Sequence, residues 1–274
     1  MKVDKICSLQ GCEKTEGLRR CSQCRSALYC SSAHQRQHWS EHRRVCTLPK
    51  EVDEKRPTVA LFDAGPPDWK LAGRSYYQPF LHDLNTAAFV RTCGTKGALC
   101  AVLAQSPPPH AVLVVEPSIY KKGTFAEDLD ALLSYARNGG RVVFGCMIPS
   151  EMSDSIAEKF FGEKLGLPWR LGGYYRSTHF LQRFHHALGS PASASLLASY
   201  SMKAVSLSGV EASDAVYRPG EDSHVESFVF DPDSVDQSLV PVAMTRYEKG
   251  WIGWNGDVNA EDGSTYVLLA MLGL

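Results

Sequence analysis

No apolar run in this chain is long enough to cross a bilayer. The longest, such as Val112–Val115 and Val267–Leu272, are far shorter than the roughly 20 residues a spanning helix needs. The opening Met1-Lys2-Val3-Asp4-Lys5 has no apolar h-region before Cys7, so no secretory leader is expected. These absences predict an intracellular chain with no membrane partner. No long Lys/Arg run separates nucleus from cytoplasm. Nine cysteines are an odd number, and a reducing compartment argues against a disulfide framework. Several catalytic signatures are missing too. Gly94-x-x-Gly97, Gly139-Gly140 and Gly172-Gly173 read as turns rather than phosphate-binding loops. There is no Gly-x-Ser-x-Gly elbow, and Asp257, Glu261 and Asp262 do not fall in an EF-hand register.

What is present is unevenly placed. Six of the nine cysteines lie at or before Cys46, and only Cys93, Cys100 and Cys146 follow. Residues 1–50 hold ten Lys/Arg against four Asp/Glu, a formal +6, while the remainder holds 19 against 26, a formal −7. The polar, proline-bracketed "PKEVDEKRP" lies between these halves. The expected organisation is a small module over 1–48, a linker over 49–57 and a larger domain over 58–274.

The small module carries ligands in short-spaced pairs: Cys7 and Cys12, Cys21 and Cys24, Cys30 and His34, His42 and Cys46. Four pairs supply two tetrahedral sites. Thiolate and imidazole donors select zinc, and sites closed by four protein ligands are structural. About 40 residues cannot bury enough core to fold unaided, so metal supplies the missing free energy. His38 lies one helical turn beyond His34 and is an alternative sixth ligand. Only His34 preserves the spacing to Cys30.

With Tyr29-Cys30, Gln35 and Trp39 in "HQRQHW", this pattern resembles the MYND zinc finger. The resemblance implies that the pairs interleave: Cys7, Cys12, Cys30 and His34 hold one Zn²⁺, and Cys21, Cys24, His42 and Cys46 the other. The sequence departs from the family at the sixth ligand, usually Cys and here His34. The resemblance also implies a partner protein with a proline-containing peptide. Gln35 and Trp39 match the positions lining the peptide groove, although helix packing inside the finger is an equal use for Trp39. Six metal-bound thiolates and two Zn²⁺ ions would leave the finger at about +4. No phosphate- or base-reading element accompanies that charge, so nucleic acid is not the expected partner, and a nucleic-acid-associated regulator is the weaker alternative.

The larger part alternates strand and helix. "TVALFD", "TAAFVRT", "AVLVVE" and Arg141–Phe144 read as strands. "SYYQPFLHDL", "TKGALCAVLAQ", a helix starting after a Thr124 N-cap, and "SDSIAEKFFGEKLG" read as helices. Beyond Pro168 the text turns β-rich, including "ESFVF", and closes on the helical "GSTYVLLAMLGL". Short alternating connections predict an α/β domain with a largely parallel sheet and added β-strands. "YARNGGRVVFG", "GLPWRLGGYYR" and "WNGDVNAEDGS" resemble class I glutamine-amidotransferase-like domains, which implies a flavodoxin-like or amidotransferase-like architecture. The whole chain is similar to fungal proteins joining a MYND finger to such a domain.

Asp63, Glu116, Cys146 and Asp257 are placed at the carboxyl ends of strands, where open α/β sheets bind ligands. Capping of loops is the favoured use of the carboxylates. An amidotransferase-type triad would need Cys146, His224 and Glu226. The order fits, but Met147-Ile148-Pro149 is expected to prevent a nucleophile elbow, with the next helix starting near Ser153. The expected function is a zinc-dependent interaction or adaptor protein, with a hydrolase or amidotransferase-type enzyme as the alternative.

Overall fold

The computed structural model describes residues 6–9, 11–21, 27–43, 46, 56–120, 123–182, 185, 187–188, 195–227, 229 and 231–274. The chain divides into two compact units, residues 1–56 and 57–274.

In the first unit, β1 (Arg19–Arg20) pairs antiparallel with β2 (Leu28–Tyr29), and α1 (Ser32–His42) follows at once. The side chain of Ser31 caps α1 by accepting the His34 N–H at 3.2 Å. Surface helices usually hold their place by an apolar stripe. This one, "SAHQRQHWSEH", has none, and the residue it buries is His42. The buried cluster of the unit is Cys7, Cys21, Tyr29 and Cys46, flanked by Leu9, Leu18 and Ala27. So small an apolar core does not compensate the conformational entropy of ordering the segment.

The second unit is a sheet of nine strands covered on both faces. Its elements are β3 (Thr58–Phe62), α2 (Gln78–Ala87), β4 (Phe89–Cys93), α3 (Ala98–Leu103), β5 (Ala111–Val114), α4 (Ala126–Arg137) and β6 (Arg141–Phe144). Then come α5 (Ile148–Glu151), α6 (Asp154–Ala157), β7 (Arg170–Leu181), β8 (Ser199–Ser208), β9 (Ala215–Pro219), β10 (Val242–Tyr247), β11 (Gly250–Asn255) and α7 (Asp262–Leu272). The strand order is β4-β3-β5-β6-β11-β10-β9-β7-β8. The first five run parallel, and each pairing from β11 onward is antiparallel. Alternate residues of β3 and β5 feed opposite faces, as the two-residue period of a strand requires. Ala60, Phe62, Val112 and Val114 pack with Leu99 of α3 and with Leu129, Leu132 and Leu133 of α4. Val59, Leu61, Ala111 and Leu113 pack with Phe80 and Leu84 of α2 and with Val267, Leu268 and Met271 of α7.

Four expectations are corrected. The sheet is mixed rather than largely parallel, because the added strands after Pro168 extend the same sheet with antiparallel pairings. "ESFVF" contributes no strand among its described residues. The N-cap of α4 is Phe125, not Thr124, with no side-chain cap bond. Asp128, in the first turn of α4, instead accepts the Gly97 and Cys100 N–H groups at 2.8 and 3.1 Å, capping α3. Finally, the helix predicted over "SDSIAEKFFGEKLG" is regular only in α6 and widens into a π-helical turn over Glu158–Lys164.

Candidate metal centre

The first unit gathers its soft donors into two groups. Cys7, Cys12, Cys30 and His34 place their ligand atoms within 4.8 Å of one another, and so do Cys21, His42 and Cys46. Cys24 lies outside the described residues. The groups interleave along the chain, the first and third pairs meeting at one point and Cys21 of the second pair meeting the fourth at another.

The separations have the size of a coordination shell. Zinc–sulfur bonds of about 2.3 Å make a tetrahedron with edges of about 3.8 Å. Cys12 and Cys30 sulfurs are 3.7 Å apart, and those of Cys21 and Cys46 are 3.8 Å apart. His34 Nδ1 lies 3.7 Å from Cys7 Sγ and 3.2 Å from Cys30 Sγ. Thiol hydrogen bonds alone would not bring four donors to mutual contact around one point. The donor chemistry and the spacing both fit a zinc ion in each group.

Local structure explains the gathering. Cys7 N–H donates to Lys14 O and Cys12 N–H to Leu9 O, both at 3.0 Å, folding the first pair into a tight loop. Cys21 N–H donates to Ala27 O at 2.8 Å. Cys30 follows β2 directly, and the Ser31 cap sets the turn that brings His34 over it. Burial pushes the Cys7 thiol up, but the Cys30 and Leu9 N–H groups and His34 outweigh it, bringing the thiol down to about 6. Burial and the neighbouring Cys12 and Cys7 sulfurs raise Cys30. One thiolate is therefore favoured in the group before metal arrives, and the mutual repulsion of the others is what a divalent cation relieves.

His38 is otherwise engaged. Its Nδ1 sits 3.0 Å from the Tyr29 hydroxyl, and its Nε2 faces Glu41 at 3.5 Å. Its ring stacks on His42 at 5.9 Å. Trp39 is 40% exposed, with its ring packed at a steep angle against His42, centroids 5.9 Å apart. Gln35 turns its side-chain amide to Cys21 Sγ at 3.4 Å, a contact that spacing did not suggest.

In the second unit, Asp63, Glu116, Cys146 and Asp257 do lie just past the ends of β3, β5, β6 and β11. Their carboxylates mostly hold backbone. Glu116 accepts from Ala64 N–H at 3.2 Å and from Ser118 N–H at 3.0 Å. Asp63 accepts from Leu71 N–H at 3.0 Å, and Asp257 from Asn259 and Glu261 N–H at 2.8 and 2.7 Å. Asp63 Oδ1 and Asn255 Nδ2 are buried with no partner among the described residues.

The backbone at Cys146 departs from expectation. Its φ is +58°, a left-handed conformation rare outside glycine, and α5 begins two residues later, not near Ser153. Gly145 and Met147 keep N–H bonds to Val114 O and Val115 O at 3.2 and 3.1 Å, so the turn stays tied to β5. The bulky Met147-Ile148-Pro149 does not prevent the elbow because Ile148 and Pro149 turn into the interior. The surroundings are those of a silent thiol. Tyr77, Phe80, Asn255, Asp257 and Leu268 line the slot beside it, with no histidine. Burial, then Asp257 and Asp63, push its pKa well up. His224 and Glu226 are not brought to it. Glu226 accepts from Thr178 and Ser201 hydroxyls at 2.8 and 2.6 Å, beside β7 and β8, and His224 O accepts from Ser177.

A unit of interleaved cysteine and histidine sets around one short helix defines a zinc-finger class. Residues 7–46 match the family model of the MYND finger and form such a finger. The chain is similar to mouse Egl nine homolog 1, at 43% identity over 87 residues, 32% of this chain and 22% of that one. It is also similar to mouse histone-lysine N-methyltransferase SMYD3, at 48% identity over 42 residues, 15% of this chain and 10% of that one. The chain thus spans about a fifth or less of the length of these relatives. The fold of the second unit is shared with a protein from Parabacteroides merdae described as thua-like, at 13% identity and a TM-score of 0.50, over 80% of this chain and 89% of that one.

Proposed function

We propose that the protein is a zinc-dependent interaction module: two structural Zn²⁺ ions order the finger, and the finger binds an extended, proline-containing segment of a partner. Cys7, Cys12, Cys30 and His34 hold one ion. Cys21, Cys24, His42 and Cys46 hold the other. The zinc ions supply the folding free energy that the small apolar core does not, and all chemistry of recognition belongs to side chains. The observation carrying the reading is Trp39, whose ring packs against His42 and yet stays 40% exposed on α1. A flat indole fixed in this way suits a proline ring, and the cost of ordering it is met before binding. The second unit we read as a flavodoxin-like or amidotransferase-like domain. The order of its parallel strands, second-first-third-fourth and then β11, supports that reading.

The test uses zinc-loaded full chain and an array of extended proline-containing peptides. Trp39→Ala should keep its zinc and weaken binding roughly tenfold or more, as expected for truncation of an anchor. Equal binding by wild type and variant would remove the groove.

The enzyme reading retains one favourable observation, the strained turn at Cys146. The carboxylate surroundings oppose it, since a nucleophilic thiolate needs a cationic or hydrogen-bond-donating neighbour.

A further inference from the structure

We propose that Gln35 is a positioning residue of the second metal set, its side-chain amide donating to the Cys21 sulfur and thereby tying α1 to both zinc sites at once. The inference rests on the zinc assignment above but concerns a residue outside the eight ligands. Nε2 of Gln35 lies 3.4 Å from Cys21 Sγ, a normal N–H···S separation. A metal-bound thiolate only accepts, so the amide nitrogen and not the oxygen is the group that belongs there. Cys21 is buried and its sulfur stands 3.8 Å from Cys46 Sγ, so the amide donates to a sulfur that belongs to the second set.

The position on α1 gives the contact its consequence. His34 and Gln35 are adjacent in the first turn of the helix, whose entry is fixed by Ser31 Oγ on the His34 N–H and by Ser31 O on the Gln35 N–H at 3.2 Å. His34 turns to the first set and Gln35 to the second. A single capped turn therefore fixes the separation of the two sites. Electrostatically, the amide N–H draws charge from the Cys21 thiolate, which lowers its basicity and its reactivity toward electrophiles while the zinc is bound. Groups in contact with ligands act on metal retention in this way without coordinating.

The experiment uses zinc-loaded full chain with Gln35→Met, which keeps the length and removes the donor, Gln35→Glu, which places a carboxylate against the sulfur, and Gln35→Lys, which restores a donor. Three quantities are read: zinc per chain, the rate of zinc transfer to a competing chelator in the presence of N-ethylmaleimide, and the sulfur-to-cobalt charge-transfer band of the Co²⁺-loaded protein. The expected result is that one of the two ions transfers roughly tenfold faster in the Met variant, and faster again in the Glu variant. The other ion keeps its rate, the cobalt band moves to longer wavelength, and the Lys variant returns toward wild type. Wild-type transfer rates and an unmoved band in the Met and Glu variants overturn the role of Gln35. Equal acceleration of both ions also overturns it, because that is general loosening of the finger. A wild-type chain holding fewer than two zinc ions overturns the zinc assignment itself, and this role with it.

Discussion

His34 and His38 are one turn apart on the same helix, and their nitrogens have different company. His34 Nδ1 joins three cysteine sulfurs, whereas His38 Nδ1 is taken by the Tyr29 hydroxyl. His34→Ala should therefore bring zinc from two per chain to about one, and His38→Ala should leave both, by elemental analysis. His34→Cys should keep both, because a thiolate fills the same vertex. Zinc loss in the His38 variant alone would move the site one turn along. Cys146 makes the opposite kind of residue-level point. Its pKa is pushed up by burial and by two carboxylates, so at neutral pH it is a thiol. Labelling by a maleimide should be slow and should accelerate only where the domain unfolds, and His224→Ala should not alter it. Fast labelling that His224→Ala abolishes would contradict this and favour a catalytic cysteine.

At the scale of elements, β7 carries a buried histidine whose ring nitrogens have no partner among the described residues. Burial brings His179 down to about 4, against a smaller opposing pull from Glu226. Between its ordinary value near 6.5 and about 4, the unfolded chain binds a proton that the folded chain refuses. The contribution is present above 6.5 and is lost as pH falls through this window, by about 3 kcal/mol at most. Denaturant titrations of the full chain from pH 7 to 4 should show a shallower decline for His179→Leu than for wild type. Parallel declines would mean that the ring is solvated or partnered.

Much at this scale was legible. Continuous apolar runs such as "AVLVV", short and rich in β-branched residues, read as strands buried on both faces, and β3, β5 and β6 are that. What escaped reading depended on distant groups. Asp128 looks like a local cap and serves a different helix. The Cys146 turn looked sterically barred because the interior space receiving Ile148 and Pro149 is not written in neighbouring residues. In the finger, the ligand types and spacing marked the donors. The hydrogen bond from Gln35 to Cys21 had no spacing signal, since it depends on how α1 and the end of β1 are brought together.

For the whole molecule, two units of different physics share one chain. The second has buried strands and two apolar clusters and stands on burial. Among its described residues the first has a buried apolar cluster of four, three of them cysteines. Removing metal with a chelator should therefore unfold the first unit and leave the second folded. The second unit's far-UV circular dichroism and cooperative melt should persist. No described helix is long and apolar enough to cross a membrane.

On the proposed reading, two interleaved donor sets each hold one zinc ion. Native mass spectrometry of the full chain with elemental analysis tests it most directly. Wild type should carry two zinc ions, and Cys12→Ser and Cys46→Ser should each lose one, from different sets, with the double variant losing both. A wild-type chain with one zinc or none, or two single variants that deplete the same ion so that the double loses no more, would contradict it.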